Sequence, residues 1–115
     1  MDPTELLRDD HEVLRSLFVR YHEIDVGDRA AKASLFRRIQ GEIDVHAAIE
    51  EEIFYPAVRG ANPVLAGPMV REAFEDLRLI RQILHDVETG SPGSDEFDAK
   101  LNVLRENVLR HAETE

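Results

Sequence analysis

The chain has 115 residues, a formal net charge of −10, 43% hydrophobic residues and no cysteine. This length suits one domain, residues 1–115, and the composition is that of a globular, helix-rich protein. The charge argues against nucleic acid and anionic membranes as partners, and the lack of cysteine excludes disulfides and iron–sulfur clusters. No apolar run approaches the roughly 20 residues of a membrane span, and no signal peptide precedes the first helix. We therefore expect a cytoplasmic protein.

The first predicted helix begins at Asp2-Pro3, because Asp suits an N-cap and Pro the first helical position. It should end near Val26-Gly27, where Gly is a common helix stop. Its stripe of residues at steps of three or four is Leu7, His11, Leu14, Phe18 and Tyr21. This spacing indicates a core-facing surface, so a histidine is expected within the core.

A second helix, which Asp28 can cap and Pro56 bends or ends, contains both a histidine and a carboxylate in its stripe. The stripe is Phe36, Ile39, Ile43, His46, Glu50 and Ile53. His46 and Glu50 are four residues apart and share a helical face. A carboxylate in an apolar core is costly unless it is paired or binds a metal. Tyr55 is predicted to point away from this stripe, and a supporting role behind the polar residues of the stripe stays open for it.

Residues 60–67 contain two glycines and Asn-Pro and predict a loop, after which Pro68 should begin a third helix. The stripe of this helix is free of histidine and carboxylate: Val70, Ala73, Phe74, Leu77, Ile80, Leu84 and Val87. A turn at 90–94 precedes a fourth helix, capped by Ser94 or Asp95. The fourth stripe again ends in a histidine and a glutamate four residues apart: Phe97, Leu101, Leu104, Val108, His111 and Glu115.

Four amphipathic helices with short connections predict an all-α fold, an antiparallel up-down-up-down four-helix bundle. In this arrangement the start of the first helix and the ends of the second and fourth helices share one end of the bundle. Five polar side chains then meet in one layer of the core: His11, His46, Glu50, His111 and Glu115. Three imidazoles and two carboxylates suit iron, zinc, copper or nickel, and two carboxylates make a two-metal site physically sensible.

Three motifs make the sequence resemble the hemerythrin-like, or HHE cation-binding, domain family. They are Asp10-His11, the His46–Glu50 pair with the following Phe54-Tyr55-Pro56, and the His111–Glu115 pair. The resemblance implies a bundle that holds non-haem iron, usually two ions, and reacts with oxygen, nitric oxide or peroxide. It also implies that the three histidines are metal ligands and that the two glutamates are bridging carboxylates. Ferritin-like bundles differ, because they use Glu-x-x-His.

The sequence departs from the family pattern at two places. Relatives usually carry a third-helix histidine about three residues before an Ile/Leu-Arg pair, and here Ile80-Arg81 places Leu77 at that position. His85 lies roughly 12 Å further along the helix and is a poor substitute. One metal position therefore loses a nitrogen, so that water fills it or the second metal binds weakly or is absent. Relatives also continue with more helix past Glu115, which suggests a chain shortened at its C-terminus.

Three functions remain open. The first is a non-haem iron protein, with zinc or manganese as alternative metals, that binds or senses O2, NO or peroxide. The second is a di-iron enzyme that decomposes peroxide or NO, although no further acid–base group lies on the stripes. The third is a non-catalytic bundle with a degraded metal site. His22 and His85 are expected to be structural or solvated. A solvated surface is expected for Glu51, Glu52, Glu72, Glu75 and Asp76.

Overall fold

The computed structural model describes residues 3–61 and 63–113 of the chain. Within these ranges the chain is all-α and contains no strand, which confirms the all-α part of the predicted fold class. The elements are α1 (Pro3–Glu23), α2 (Arg29–Ile49), a five-residue π-helix (Glu50–Phe54), α3 (Tyr55–Ala61), α4 (Pro63–Glu88) and α5 (Asp95–Glu113). None of the helices in the described ranges is both long and apolar enough to cross a membrane.

Two of the predicted helix caps are present. The side chain of Asp28 accepts a hydrogen bond from the backbone N–H of Ala31 at 3.0 Å. The hydroxyl of Ser94 accepts one from the backbone N–H of Phe97 at 3.1 Å. Each cap satisfies a donor in the first turn that has no partner within the helix. The predicted cap of the first helix, Asp2, lies outside the described residues.

The predicted loop at 60–67 is wrong, because the described chain is helical on both sides of residue 62. The helix α4 begins at Pro63, and Pro68, the predicted first residue of this helix, lies inside it. Proline at the first position removes a donor that has no helical partner in any case. Pro68 removes a second donor only one turn further on, where the carbonyl of the exposed Val64 can bind water instead.

The core consists of two apolar clusters. The larger one joins α1, α2, α4 and α5 along the predicted stripes and contains Leu14, Leu17, Phe18, Tyr21, Leu35, Phe36, Ile39, Ile43, Ile80, Leu84, Val87, Phe97, Leu101, Leu104 and Val108. The smaller one, which we call the Leu77 cluster, contains Ala47, Tyr55, Val70 and Leu77. The helix α1 packs against α2, and α4 packs against α5. Burial along these stripes removes the clustered apolar side chains from water and stabilises the four long helices together.

One part of the core holds a buried lysine, and a carboxylate compensates its positive charge. Lys32 Nζ donates to Asp98 Oδ2 at 3.0 Å, and the Tyr21 hydroxyl donates to Asp98 Oδ1 at 2.7 Å. The Lys32 side chain is only 6% exposed, so burying its charge would be costly without this carboxylate. Partial burial alone would raise the pKa of Asp98, but the hydrogen bonds from Tyr21 and Lys32 lower it.

We expect Asp98→Asn to lower the free energy of unfolding by about 1–3 kcal/mol at neutral pH, because it leaves the Lys32 ammonium without its counter-charge. The folded-state pKa of Asp98 lies below its ordinary value of 3.8. The stabilisation is therefore present above that value and is lost as the pH falls through the folded-state pKa. The free energy of unfolding of the wild type and of Asp98→Asn can be measured in urea at pH 7 and pH 3. The difference between the two proteins should be smaller at pH 3.

The matched control is Asp95→Asn, which changes an exposed aspartate in the same helical turn. Its effect should stay below about 1 kcal/mol, the usual worth of a charge near a helix N-terminus. The role assigned to Asp98 would be contradicted by equal losses of unfolding free energy in Asp98→Asn and Asp95→Asn. It would also be contradicted if the stability difference between the wild type and Asp98→Asn did not change with pH.

Candidate metal centre

Four of the five predicted ligand residues lie together in the structure. His11 comes from α1, His46 from α2, Glu50 from the π-helix and His111 from α5. His11, His46 and Glu50 each offer a ligand atom within 4.8 Å of the others. His111 Nε2 lies 2.9 Å from Glu50 Oε2. The fifth residue, Glu115, lies outside the described residues.

Glu50 occupies the centre of this cluster. It is fully buried, with 0% of its surface exposed. Its Oε1 contacts His46 Nε2, and its Oε2 accepts from the Tyr55 hydroxyl and faces His111 Nε2. Burial alone would raise the pKa of Glu50, but hydrogen bonds with His111 and His46 lower it to about 2. Glu50 is therefore an anion at neutral pH in the protein interior.

His46 and His11, whose rings lie side by side, differ in protonation. Burial alone would lower the pKa of His46, but hydrogen bonds to Asp10 and Glu50 raise it to about 9. Burial, with the nearby charge of His46, lowers the pKa of His11 below its ordinary value. His11 is thus neutral at pH 7, the form in which imidazole binds metals. A metal ion bound at His46 must first displace a proton.

The π-helix brings Tyr55 into the site, contrary to the prediction from sequence. Five residues turn a side chain about 140° away in an α-helix of 3.6 residues per turn. Here the backbone N–H of Tyr55 bonds to the carbonyl of Glu50, the i→i+5 pattern of a π-helix, which places the two residues over one another. Tyr55 is buried, and its hydroxyl lies 3.4 Å from His111 Nε2. The same extra residue turns Ile53 outward, so that 47% of it is exposed.

Two aspartates outside the predicted ligand set contact the imidazoles. Asp10 is buried, and its Oδ2 lies 2.9 Å from His46 Nδ1. Asp76, predicted on a solvated surface, has an exposed side chain, but its Oδ2 reaches to 3.6 Å from His111 Nδ1. Asp10 stands in the Asp10-His11 motif of the sequence, but that motif does not predict its contact with His46. Asp76 carries no such signal, since it lies off the apolar stripe of its helix.

Helix α4 places an apolar side chain where the family pattern has a histidine. Leu77 is 1% exposed and packs in the Leu77 cluster beside Tyr55. His85 is exposed near Glu88, and His22 is exposed near Arg105, as expected for residues outside the site. The described part of the site thus draws its candidate ligands from the helices α1, α2 and α5 and from the π-helix.

The donor set fits a metal cation. A buried anion is costly in the protein interior unless positive charge compensates it. Glu50 supplies that anion, and three imidazoles around it supply nitrogen donors. Mixed imidazole and carboxylate sites suit first-row transition metals. The chemistry of these side chains therefore points to a cation site with Glu50 at its centre.

Comparison with protein families agrees with this geometry. The model of the hemerythrin HHE cation binding domain matches residues 2–115. The chain belongs to the hemerythrin HHE cation binding family. Domains of this family bind metal cations, and the buried cluster around Glu50 in this HHE domain is a possible site for one.

Several curated proteins are similar to this HHE domain. A DNA nickase of Nostoc sp. is 24% identical over 115 residues, which cover all of this chain and 31% of the nickase. Uncharacterised proteins of Mycobacterium tuberculosis and Mycobacterium bovis are each 27% identical over 117 residues, which cover all of this chain and 68% of theirs. The chain thus spans about a third of the nickase. No solved structure matches it.

Proposed function

We propose that this HHE domain is a non-haem iron protein that binds or senses a small ligand such as O2, NO or peroxide. The ligands in this proposal are His11, His46, Glu50, His111 and Glu115. The observation that carries it is the fully buried Glu50 carboxylate, which contacts two imidazoles from different helices. Such an anion is expected to have a function, because an apolar residue there would avoid the cost of burying charge.

Two iron ions per chain fit the arrangement around Glu50. Its Oε1 contacts His46 Nε2, and His111 Nε2 lies 2.9 Å from Oε2 and 3.2 Å from Oε1, so that one carboxylate faces imidazoles of two helices. Glu50 would hold iron together with the imidazoles of His11, His46 and His111. The hydroxyl of Tyr55 donates to Oε2 and holds that oxygen in place. Bound iron would supply one-electron and oxygen chemistry that the side chains themselves lack.

The proposal includes the antiparallel up-down-up-down order of the four long helices. Two contacts between α1 and α2 support it. His11, early in α1, lies 4.8 Å from His46, late in α2, between ring centroids. Tyr21, late in α1, lies beside Lys32, early in α2, with 5.4 Å from Nζ to the ring centroid. The contact between His111 and Glu50 brings the last turns of α5 to the end where α2 meets the π-helix.

A small crevice lies beside His111, one of the proposed ligands. It measures about 80 Å³ and lies between α4 and α5, lined by Asp76, Leu79, Ile80, Asn107, Arg110 and His111. A water molecule occupies about 30 Å³ of liquid, so the crevice has room for a molecule with two or three heavy atoms. O2, NO and peroxide are of this size.

DNA nicking is not part of the proposal, although the Nostoc relative is named a nickase. The similarity covers 31% of that protein, so most of its length has no counterpart here. The net charge of −10 also repels the phosphate backbone.

Metal analysis tests the proposal directly. Protein purified from iron-replete cells should contain close to two irons per chain, measured by elemental analysis with a visible absorption spectrum. Adding iron to metal-free protein should raise the melting temperature, because an ion that binds only the folded state stabilises it by about 2.7 kcal/mol at 100 times its Kd. Zinc and manganese are loaded in parallel, and His46→Ala is the control. Absence of iron, with no change in melting temperature, would favour a degraded site.

A further inference from the structure

Two histidines of the site share one arrangement of their ring nitrogens. His46 directs Nε2 to Glu50 and Nδ1 to Asp10, with 2.9 Å between Nδ1 and Asp10 Oδ2. His111 also directs Nε2 to Glu50, and its Nδ1 faces Asp76, with 3.6 Å between Nδ1 and Asp76 Oδ2. The two aspartates come from different helices, α1 and α4, so the repetition does not follow from one local motif.

We propose that Asp10 and Asp76 are positioning residues that direct Nε2 of His46 and His111 toward the cation. This inference rests on the proposed metal binding and adds to it the residues behind the ligands. A neutral imidazole carries one proton and offers one lone pair. A carboxylate behind Nδ1 holds the proton there, which leaves Nε2 as the donor atom and stops the ring from turning over.

The two aspartates hold their histidines with different strengths. Asp10 is 7% exposed and within hydrogen-bond distance of its histidine. The side chain of Asp76 is 56% exposed, and its 3.6 Å separation is longer than a direct hydrogen bond. Water around Asp76 also weakens its charge interaction. Asp10 should therefore hold His46 firmly, whereas Asp76 should guide His111 only weakly.

Helix α4 also contributes a residue to the surroundings of the site. At the family position of a ligand this helix carries Leu77, but the preceding residue, Asp76, contacts a candidate ligand of α5. The crevice between α4 and α5 lies on this same side. His111 and His46 are buried to the same degree, at 4% and 5% exposed, and only the carboxylate behind His111 reaches solvent.

Zinc alone is the probe for the first test, because it is redox-inert and suits imidazole and carboxylate ligands. Zinc affinity is measured by competition with a chromogenic chelator. We expect Asp10→Asn to weaken zinc binding about 10- to 100-fold, the usual effect of removing such a partner. Asp76→Asn should weaken it by about threefold or less, as its exposure implies. The control is Asp9→Asn, an exposed neighbour of Asp10 with the same charge change, which should bind zinc as the wild type does.

A second measurement uses the wild-type protein and does not depend on any variant folding. Nitrogen-15 NMR of the zinc-loaded protein distinguishes the two ring nitrogens of each histidine. We expect zinc on Nε2 and a proton on Nδ1 for His46 and His111. Zinc on Nδ1 of His46 would overturn the inference, as would unchanged affinity in Asp10→Asn. If the wild type binds neither zinc nor iron, the proposed function itself fails, and that outcome is distinct from normal binding in the Asp10 variant.

Discussion

Replacing Glu50 by glutamine is expected to abolish stoichiometric iron binding. Glutamine has the same size, but it lacks the charge that makes this position attractive to a cation, and its amide N–H₂ cannot act as a ligand. The variant also leaves the imidazolium of His46 with Asp10 as its remaining counter-charge. Removing one partner of a buried ion pair costs about 3 kcal/mol or more. Elemental analysis and urea unfolding of the metal-free protein measure the two effects separately.

Glu52→Gln is the matched control for this substitution. Glu52 belongs to the same π-helix and undergoes the same loss of charge, but its side chain is exposed. Its iron content should equal that of the wild type, and its stability should change by about 0.5 kcal/mol or less. Full iron content in Glu50→Gln would show that Glu50 is not a ligand.

Leu77→His is expected to produce opposite effects in the metal-free and iron-loaded protein. Leu77 is buried beside Ala47, Tyr55 and Val70, so a histidine there places a polar ring in an apolar cluster. Without metal, this should destabilise the protein by about 1–3 kcal/mol. With iron, the new imidazole can serve as the missing ligand, so the second ion should bind more tightly. The rise in melting temperature on iron addition should therefore be larger than in the wild type.

Leu84→His separates this gain from a general effect of a buried histidine. Leu84 is also buried on α4, but it belongs to the larger cluster and lies about 10 Å further along the helix. We expect a similar loss of stability and no change in iron affinity. If Leu77→His binds iron no better than the wild type, the absent histidine is not what limits iron affinity at the second metal position.

The cluster of candidate ligands was predictable because it depends on regular helical spacing. His46 and Glu50 lie four residues apart on the apolar stripe of α2, and their positions in the core follow from the same 3.6-residue period as the leucines around them. His11 and His111 were found in the same way. These side chains meet because the long helices bury the stripes that contain them.

Three features could not be predicted, because they break that period, contradict local loop signals or depend on contacts between distant segments. The outward turn of Ile53 and the inward turn of Tyr55 both follow from one extra residue per turn, which apolar spacing does not reveal. Helix α4 begins at Pro63 and continues through Pro68, although Gly, Asn and Pro there are local signals for a loop. The contact of Asp76 with His111 depends on how α4 packs against α5.

The π-helix also sets how this HHE domain should be aligned with its relatives. Residues before Glu50 and residues after Phe54 belong to two helical frames that differ by one residue, about 100° of rotation. A relative that continues through this segment as a plain α-helix corresponds to it only if the alignment carries a one-residue gap within 50–54. Without the gap, the residue matched to Tyr55 would face another direction, and a chimera joined there would lose the hydroxyl beside Glu50 while keeping every histidine.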